Sequence, residues 1–560
     1  MVKKFLNFIS KEFSGLHQTA FLLSLASLVS QLLGLFRDRL LAHTFGASAT
    51  LDLYYAAFRI PDLIFVSVGS FLAVTVLIPI LIERGKQNDI SAEKKFMDSL
   101  FTFFLLVMAP TMLLAFIFAP VLDRIFVPGF SDAQQIQLLS AVRILLFSPL
   151  FLGLSSLFGS VTQARRKFMI FAISPILYNL GIIGGIVFMY PIFGIQGLIY
   201  GVVFGAFLHM IIQVPTMFSS GLFPRIISEF HFQDIKTIMM RSMPRTLGLG
   251  ALQLSVTFLI TEASYMAAGS IAVFNFAYNL QSVPISLVGI SYSVAAFPLL
   301  SRLNAEGKME EFARCVEAGI RHILFWILPF VSLLIVLRAQ IVRIILGSGH
   351  FSWNDTRLTA ACLALFSFGV IFQNVVLMLD RSYYARHKTK VPVITNLLGS
   401  VTIILSAVLL PRIASVFPVF FSTLVSFLKV KDVTGTEVLF LPLAFSIGAA
   451  ANFLLEWSYF KKDLNTKLTG ELKETLTQSL ASSIIMAAIA HASLFGFARV
   501  FNLNTFIGVL FQGGLSGVLA VAGGIITLIS LKNRETSELI ETFKKKIGFI
   551  SITIPGQDQL

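Results

Sequence analysis

The chain has 560 residues, 56% of them apolar and only 13% charged, and its mean hydropathy is +0.84. A soluble domain carries about 25% charged residues and its core stops growing near ~250–300 residues, so water offers no place for this much apolar side chain. Two cysteines, Cys315 and Cys362, exclude a disulfide scaffold, the hydropathy excludes disorder, and the chain reads as an integral membrane protein. The net charge of +14 would suggest nucleic acid in a soluble protein. Here the basic residues fall between apolar runs, as in cytoplasmic loops, and no nucleic-acid partner is expected.

A helix needs about 20 mostly apolar residues to cross the hydrocarbon layer. On that measure fourteen spans are predicted, near 19–44, 54–82, 97–122, 135–160, 168–190, 196–217, 240–262, 270–298, 316–337, 357–380, 391–411, 438–459, 475–497 and 504–531. The ten-residue alternation of a membrane β-barrel is missing from the pattern. The predicted fold class is therefore an all-α polytopic membrane protein. Lys3, Lys4 and Lys11 precede the first span. Basic clusters follow the second, fourth, sixth, eighth, tenth and twelfth, among them Arg84 and Lys86, Arg165 and Arg166, Arg302 and Lys308, and Arg386 and Lys388. Loops 191–195 and 263–269 have no basic residue. Positive-inside bias then puts both termini in the cytoplasm. The first apolar run lacks a small-residue cleavage site and continues to full length, which predicts a retained helix.

A short echo links Ala57-Phe58-Arg59-Ile60 with Ala277-Tyr278-Asn279-Leu280, and Pro79-Ile80-Leu81 with Pro298-Leu299-Leu300, each about 220 residues apart. Both copies would fill the second place of a six-helix unit, which implies two parallel lobes around a central cavity, as in some transporters. The expected organisation is an N-lobe over 1–217, a C-lobe over 218–460, and two further spans with a cytoplasmic tail over 461–560. Segment 412–437 interrupts the C-lobe, either as an amphipathic interfacial stretch around Phe420–Val430 or as a loose insertion. Gly197, Gly201 and Gly205 line one face of the sixth span, where small residues let backbones approach. Pro61, Pro149, Pro175 and Pro284 lie inside apolar runs and predict kinks.

Ionisable groups at membrane depth are costly and mark functional paths by default. They are densest near the N-terminus, at Arg37, Asp38, Arg39, Asp52, Arg59 and Asp62. Arg59 and Asp62, spaced i,i+3, can pair on one helical face. Arg143, Arg245 and Glu262 are further candidates. The eight histidines show no metal-ligand spacing, and no phosphate-binding glycine loop or nucleophile constellation stands out. No cofactor or metal is expected, and a transporter is favoured over an enzyme.

The text Ser30-Gln31-Leu32-Leu33-Gly34-Leu35-Phe36-Arg37-Asp38, then Phe45-Gly46-Ala47, Asp52 and Ala57-Phe58-Arg59-Ile60-Pro61, resembles the MurJ (MviN) family of lipid II flippases in the multidrug/oligosaccharidyl-lipid/polysaccharide exporter superfamily. The likeness continues at Pro128-Gly129-Phe130, Arg165 to Phe168, Pro175 with Asn179, Pro284 to Pro298, Gly349-His350-Phe351 and Tyr384 to Pro392. The resemblance implies fourteen spans, a V-shaped two-lobed bundle and a cationic cavity. That cavity takes a lipid-linked disaccharide-pentapeptide by its diphosphate and releases it outside by alternating access. It also implies a monomer in the bacterial inner membrane, with an anionic lipid-linked glycan and membrane lipids as partners. Arg37 and Asp52 match positions important in the family, and Arg59 matches a basic position beside the proline. The chain departs from the pattern at Gln31, Phe65-Val66, Ser70-Phe71, Tyr278-Asn279 and Ser282, where the family carries charge. The predicted substrate residues are Arg37, Asp52, Arg59 and Arg245, with Asp38 and Asp62 as supporting ion pairs. Other readings are a flippase for another polyprenyl-diphosphate-linked oligosaccharide, an ion-coupled drug exporter of the same superfamily, a membrane glycosyl transferase, and a transport-inactive scaffold. The driving force, whether membrane potential, proton or sodium, stays open.

Overall fold

In lipid every backbone amide must be satisfied within the chain, so long apolar runs have little choice but the helix. The computed structural model of the protein describes residues 16–69, 77, 78, 81, 90–227, 232–464 and 470–548. Among the described residues there is no strand, and twelve helices are long and apolar enough to cross a membrane. They fall one by one on the third to fourteenth predicted spans, from Ile90–Phe126 to Phe506–Ser530. The first span is helix Leu16–Phe45, and the second opens with Ala49–Ala57 and Arg59–Ser67; most of the remainder of that predicted span lies outside the described residues. The architecture is all-helical and polytopic, as predicted.

Proline accounts for several breaks. The second span is interrupted at Phe58, three residues before Pro61, and the fourth at Leu146, three before Pro149. Neither ring nitrogen can donate, so each proline sits in the first turn of a restarted helix, where no donor is needed. Pro284 ends the regular turn of the eighth span, and Ile285–Ile290 continues with π-type hydrogen bonds before Ser291–Ala305 resumes. Pro175 stays inside helix Phe168–Gly184.

The chain divides into two units. The first consists of Met1–Ala277, Ile345–Cys362 and Thr389–Gly448; the second of Tyr278–Ile344, Leu363–Lys388 and Ala449–Leu560. In the first unit the fifth and sixth spans pack backbone to backbone. A Cβ added at Gly181 or Gly185 would land on Gly205 or Gly201, and the reverse substitution at Gly201 meets Gly185. The glycine face noted in the sequence is thus filled by another helix. Gly201→Ala is expected to destabilise the purified chain by about 1–3 kcal/mol, the range for overpacking. Gly514→Ala, which meets open space, should be neutral or slightly stabilising. A common thermal midpoint for the two variants in detergent would remove the close-packing account.

Segment 412–437 is ordered by packing. Helix Lys390–Val416 extends into it, Pro418–Phe427 forms a short helix, and Val425, Leu428, Val430 and Val433 are buried. Val416, Phe417, Val419 and Phe427 are exposed, so apolar side chains lie on both the buried and the outward faces. Arg357 clamps the turn that follows, reaching both Asp432 oxygens at 2.5 and 2.7 Å and the Lys429 carbonyl. These charge-assisted bonds hold the Asp432 carboxyl down to about 2, below the usual range. The clamp therefore holds from neutral pH down to strongly acid medium and is lost only as pH falls through about 2.

In the second unit the thirteenth and fourteenth spans pack on the ninth. Leu337, Met486, Ala490 and Ala520 form a shared apolar core, and Ser332 Oγ donates to the Ser483 carbonyl at 2.7 Å. Arg321, buried on the ninth span, pairs with Glu471 and, at 3.1 Å, with buried Glu535.

Candidate functional site

The charged residues near the N-terminus lie together in the first unit. Helix Leu16–Phe45 carries Arg37 and Asp38 side by side, and Asp38 is buried. A buried carboxylate needs a partner. The Arg37 guanidinium supplies it through Nη2 at 2.8 Å and Nε at 3.0 Å, both to Asp38 Oδ1. Its Nη1 donates across to Asn179 Oδ1 on the fifth span at 3.3 Å. The Asn179 amide in turn donates to Ser30 Oγ at 3.2 Å and to the Pro175 carbonyl at 3.2 Å. A continuous polar chain thus joins the first and fifth spans. Tyr54 and Tyr55 lie within electrostatic reach of Arg37, and Tyr178 lies within reach of both Arg37 and Asp62.

Arg59 is buried at the head of helix Arg59–Ser67. It pairs with Asp62 at 3.9 Å, the i,i+3 contact the spacing predicted, and its Nε donates to the Tyr55 carbonyl at 3.3 Å. Asp62 is the more open partner, with 42% of its side chain exposed. Tyr178 therefore borders two ion pairs, each combining a guanidinium with a carboxylate.

Asp52 has a different setting. It is buried, and its two oxygens accept from the backbone amides of Gly269 at 2.5 Å and Ala272 at 2.8 Å. These amides open helix Ser270–Pro284 and have no intrahelical acceptor. Asp52 is thus an N-terminal cap supplied from a distant part of the chain. Around it the motif glycines make close turns. Gly46 and Gly349 have positive φ of 62° and 56°, and the His350 amide donates to the His43 carbonyl at 2.9 Å between them. Side chains there would strike backbone at His350 and His43, which is why glycine occupies both places.

Arg245 falls on helix Phe232–Ser264, but its side chain lies outside the described residues. Arg143 stacks its guanidinium over the Phe116 ring at 4.5 Å, a cation–π contact distinct from the Arg37 cluster. Sequence reasoning did not assign Asn179, Tyr54 and Tyr178 to the site. The available signal was a polar side chain four residues after Pro175 in an otherwise apolar run, and a tyrosine pair just after Asp52. Among the described residues no group of three or more metal-ligating side chains could hold a metal ion. Chemically, the arrangement offers two forked donors in a low-dielectric wall, suited to binding an anion's oxygens and to no bond-breaking chemistry.

A family model described as lipid II flippase MurJ matches residues 41–513. A probable lipid II flippase MurJ of Buchnera aphidicola subsp. Schizaphis graminum is 30% identical over 380 residues, covering 66% of this chain and 73% of the relative. The lipid II flippase MurJ of Burkholderia cenocepacia is 26% identical over 377 residues, with the same 66% and 73% coverage. Among solved structures, a lipid II flippase MurJ in an inward closed conformation aligns with a TM-score of 0.71 at 22% identity, over 93% of this chain and all of that one. An inward-facing multidrug resistance MATE family transporter of the MOP superfamily gives 0.61 at 13% identity, covering 80% and 96%. At these identities the structural likeness bears on the fold alone. The family match takes in all but the ends of the chain, and the chain belongs to the lipid II flippase MurJ family.

Proposed function

We propose that this chain moves lipid II, or a closely related polyprenyl-diphosphate-linked glycan, from the cytoplasmic to the outer leaflet of a bacterial inner membrane. Both termini would then lie in the cytoplasm. The observation that carries the reading is Arg37, a guanidinium held within the helical layer by Asp38 and Asn179. Its bonds to Asp38 are short and charge-assisted, whereas the bond to the neutral Asn179 amide is the longest of the three. A phosphate oxygen would replace that amide first, since it brings a full negative charge to the guanidinium and the amide oxygen does not. Asp38 keeps the guanidinium oriented while this happens, and Arg59 offers a second fork beside Asp62. Because each arginine is already paired, the site carries little net charge, so the headgroup is held by exchange of partners and can leave again. Tight charge excess would slow release.

Native mass spectrometry of the purified full chain tests this. The expected result is co-bound polyprenyl diphosphate carrying the disaccharide-pentapeptide. A different glycan on the same carrier would select the related-glycan reading. Zwitterionic lipids alone, with added lipid II failing to bind, would overturn the proposal.

A further inference from the structure

A second ionisable cluster lies in the other unit. Glu456, on the twelfth span (helix Phe440–Leu464), has no exposed surface, and neither of its carboxylate oxygens has a hydrogen-bond donor among the described residues. Its neighbour within side-chain hydrogen-bonding reach is Asp380, half-buried on the tenth span, Trp353–Ala385. Tyr383, one turn further along the tenth span, is fully buried, has a hydroxyl without a partner and lies in electrostatic reach of Glu456.

Two carboxylates have no proton to share and repel each other, whereas a carboxylic acid donates to a carboxylate. Arg386 and Lys388 each hold Asp463 at 2.6 Å, Arg386 also lies 5.9 Å from the Phe312 ring of the ninth span, and Arg381 lies over the Phe297 ring of the eighth. The other titratable groups facing Tyr383 are Asp463 and Tyr459 from the twelfth span and Arg386 from just beyond the end of its own. Among the described residues no group of three or more His, Cys, Asp or Glu side chains could hold a metal ion here.

We propose that Asp380 and Glu456 form a proton-binding site whose ligand is one shared proton, with the Tyr383 hydroxyl turned toward the pair. The proton comes from solvent by way of half-exposed Asp380 and goes back the same way; no other bond is made or broken. With it bound, the tenth and twelfth spans are tied by an acid–carboxylate hydrogen bond. Without it, two like charges oppose each other in a dry contact, and the spans are pushed apart. Site occupancy thereby sets how these two spans pack during a transport cycle.

Infrared difference spectroscopy on the full chain in liposomes tests this without reference to the cargo, so its outcome is separate from that of the flipping proposal. The expected result is a protonated-carboxyl carbonyl band near neutral pH, equivalent to one proton per chain. Alkaline medium should remove it, and both Glu456→Gln and Asp380→Asn should abolish it. Tyr383→Phe should shift its frequency. If Glu456→Gln fails to fold, the wild-type titration and Tyr383→Phe still decide. A wild-type spectrum with no pH-sensitive protonated carboxyl, a band surviving in both carboxyl variants, or a band removed by sodium at constant pH would each overturn the proposal.

Discussion

Arg37→Ala is expected to abolish growth of cells depleted of their own lipid II flippase while the variant still inserts in the membrane. The substitution takes from the buried Asp38 carboxylate its two bonds to the Arg37 guanidinium, and from Asn179 Oδ1 the bond to Arg37 Nη1. Breaking one side of a buried pair costs about 3–5 kcal/mol, so some loss of thermal stability should accompany the loss of transport. Arg37→Lys separates the two effects. An ammonium restores the charge opposite Asp38 but cannot fork between Asp38 and a phosphate oxygen. Recovery of the thermal midpoint with transport still absent is the expected pattern. Normal growth with Arg37→Ala would take Arg37 out of the substrate path and leave it as a helix-layer ion pair.

Asp52→Ala should also impair transport, by a different route. Two buried amides, of Gly269 and Ala272, would lose their acceptors. An unsatisfied buried donor costs about 1–3 kcal/mol, so the loss over both is roughly 2–6 kcal/mol, concentrated at the first turn of Ser270–Pro284. Hydrogen exchange at those two amides should rise sharply, and Asp52→Asn, which keeps one acceptor oxygen, should fall between wild type and alanine. Transport lost in a lipid II accessibility assay with exchange unchanged would instead mean that Asp52 meets the substrate directly. Unchanged flipping together with raised exchange would confine Asp52 to its capping role.

The spans were legible because a helix in lipid needs a long apolar run, and such a run is a one-dimensional property. The Arg59–Asp62 pair was legible for the same kind of reason: i,i+3 neighbours are set by helical pitch. Arg37 was visible as a charge in an apolar run, but its partner Asn179, 142 residues away, was not. The role of Asp52 was hidden too, since a carboxylate that caps a helix 217 residues later reads, in the sequence, like any intramembrane acid.

Composition, apolar run lengths and the placing of basic loops determined on their own that this is a polytopic helical membrane protein, and the motifs near residues 30–61 pointed to its family. Tertiary structure alone decided which polar groups meet: Arg37 with Asn179, Asp52 with the start of the eighth span, Glu456 with Asp380. The reason is physical. Burying apolar side chains is non-directional and can be summed along a sequence, whereas a buried charge is stable only opposite a particular atom a few ångströms away, and folding alone supplies that atom.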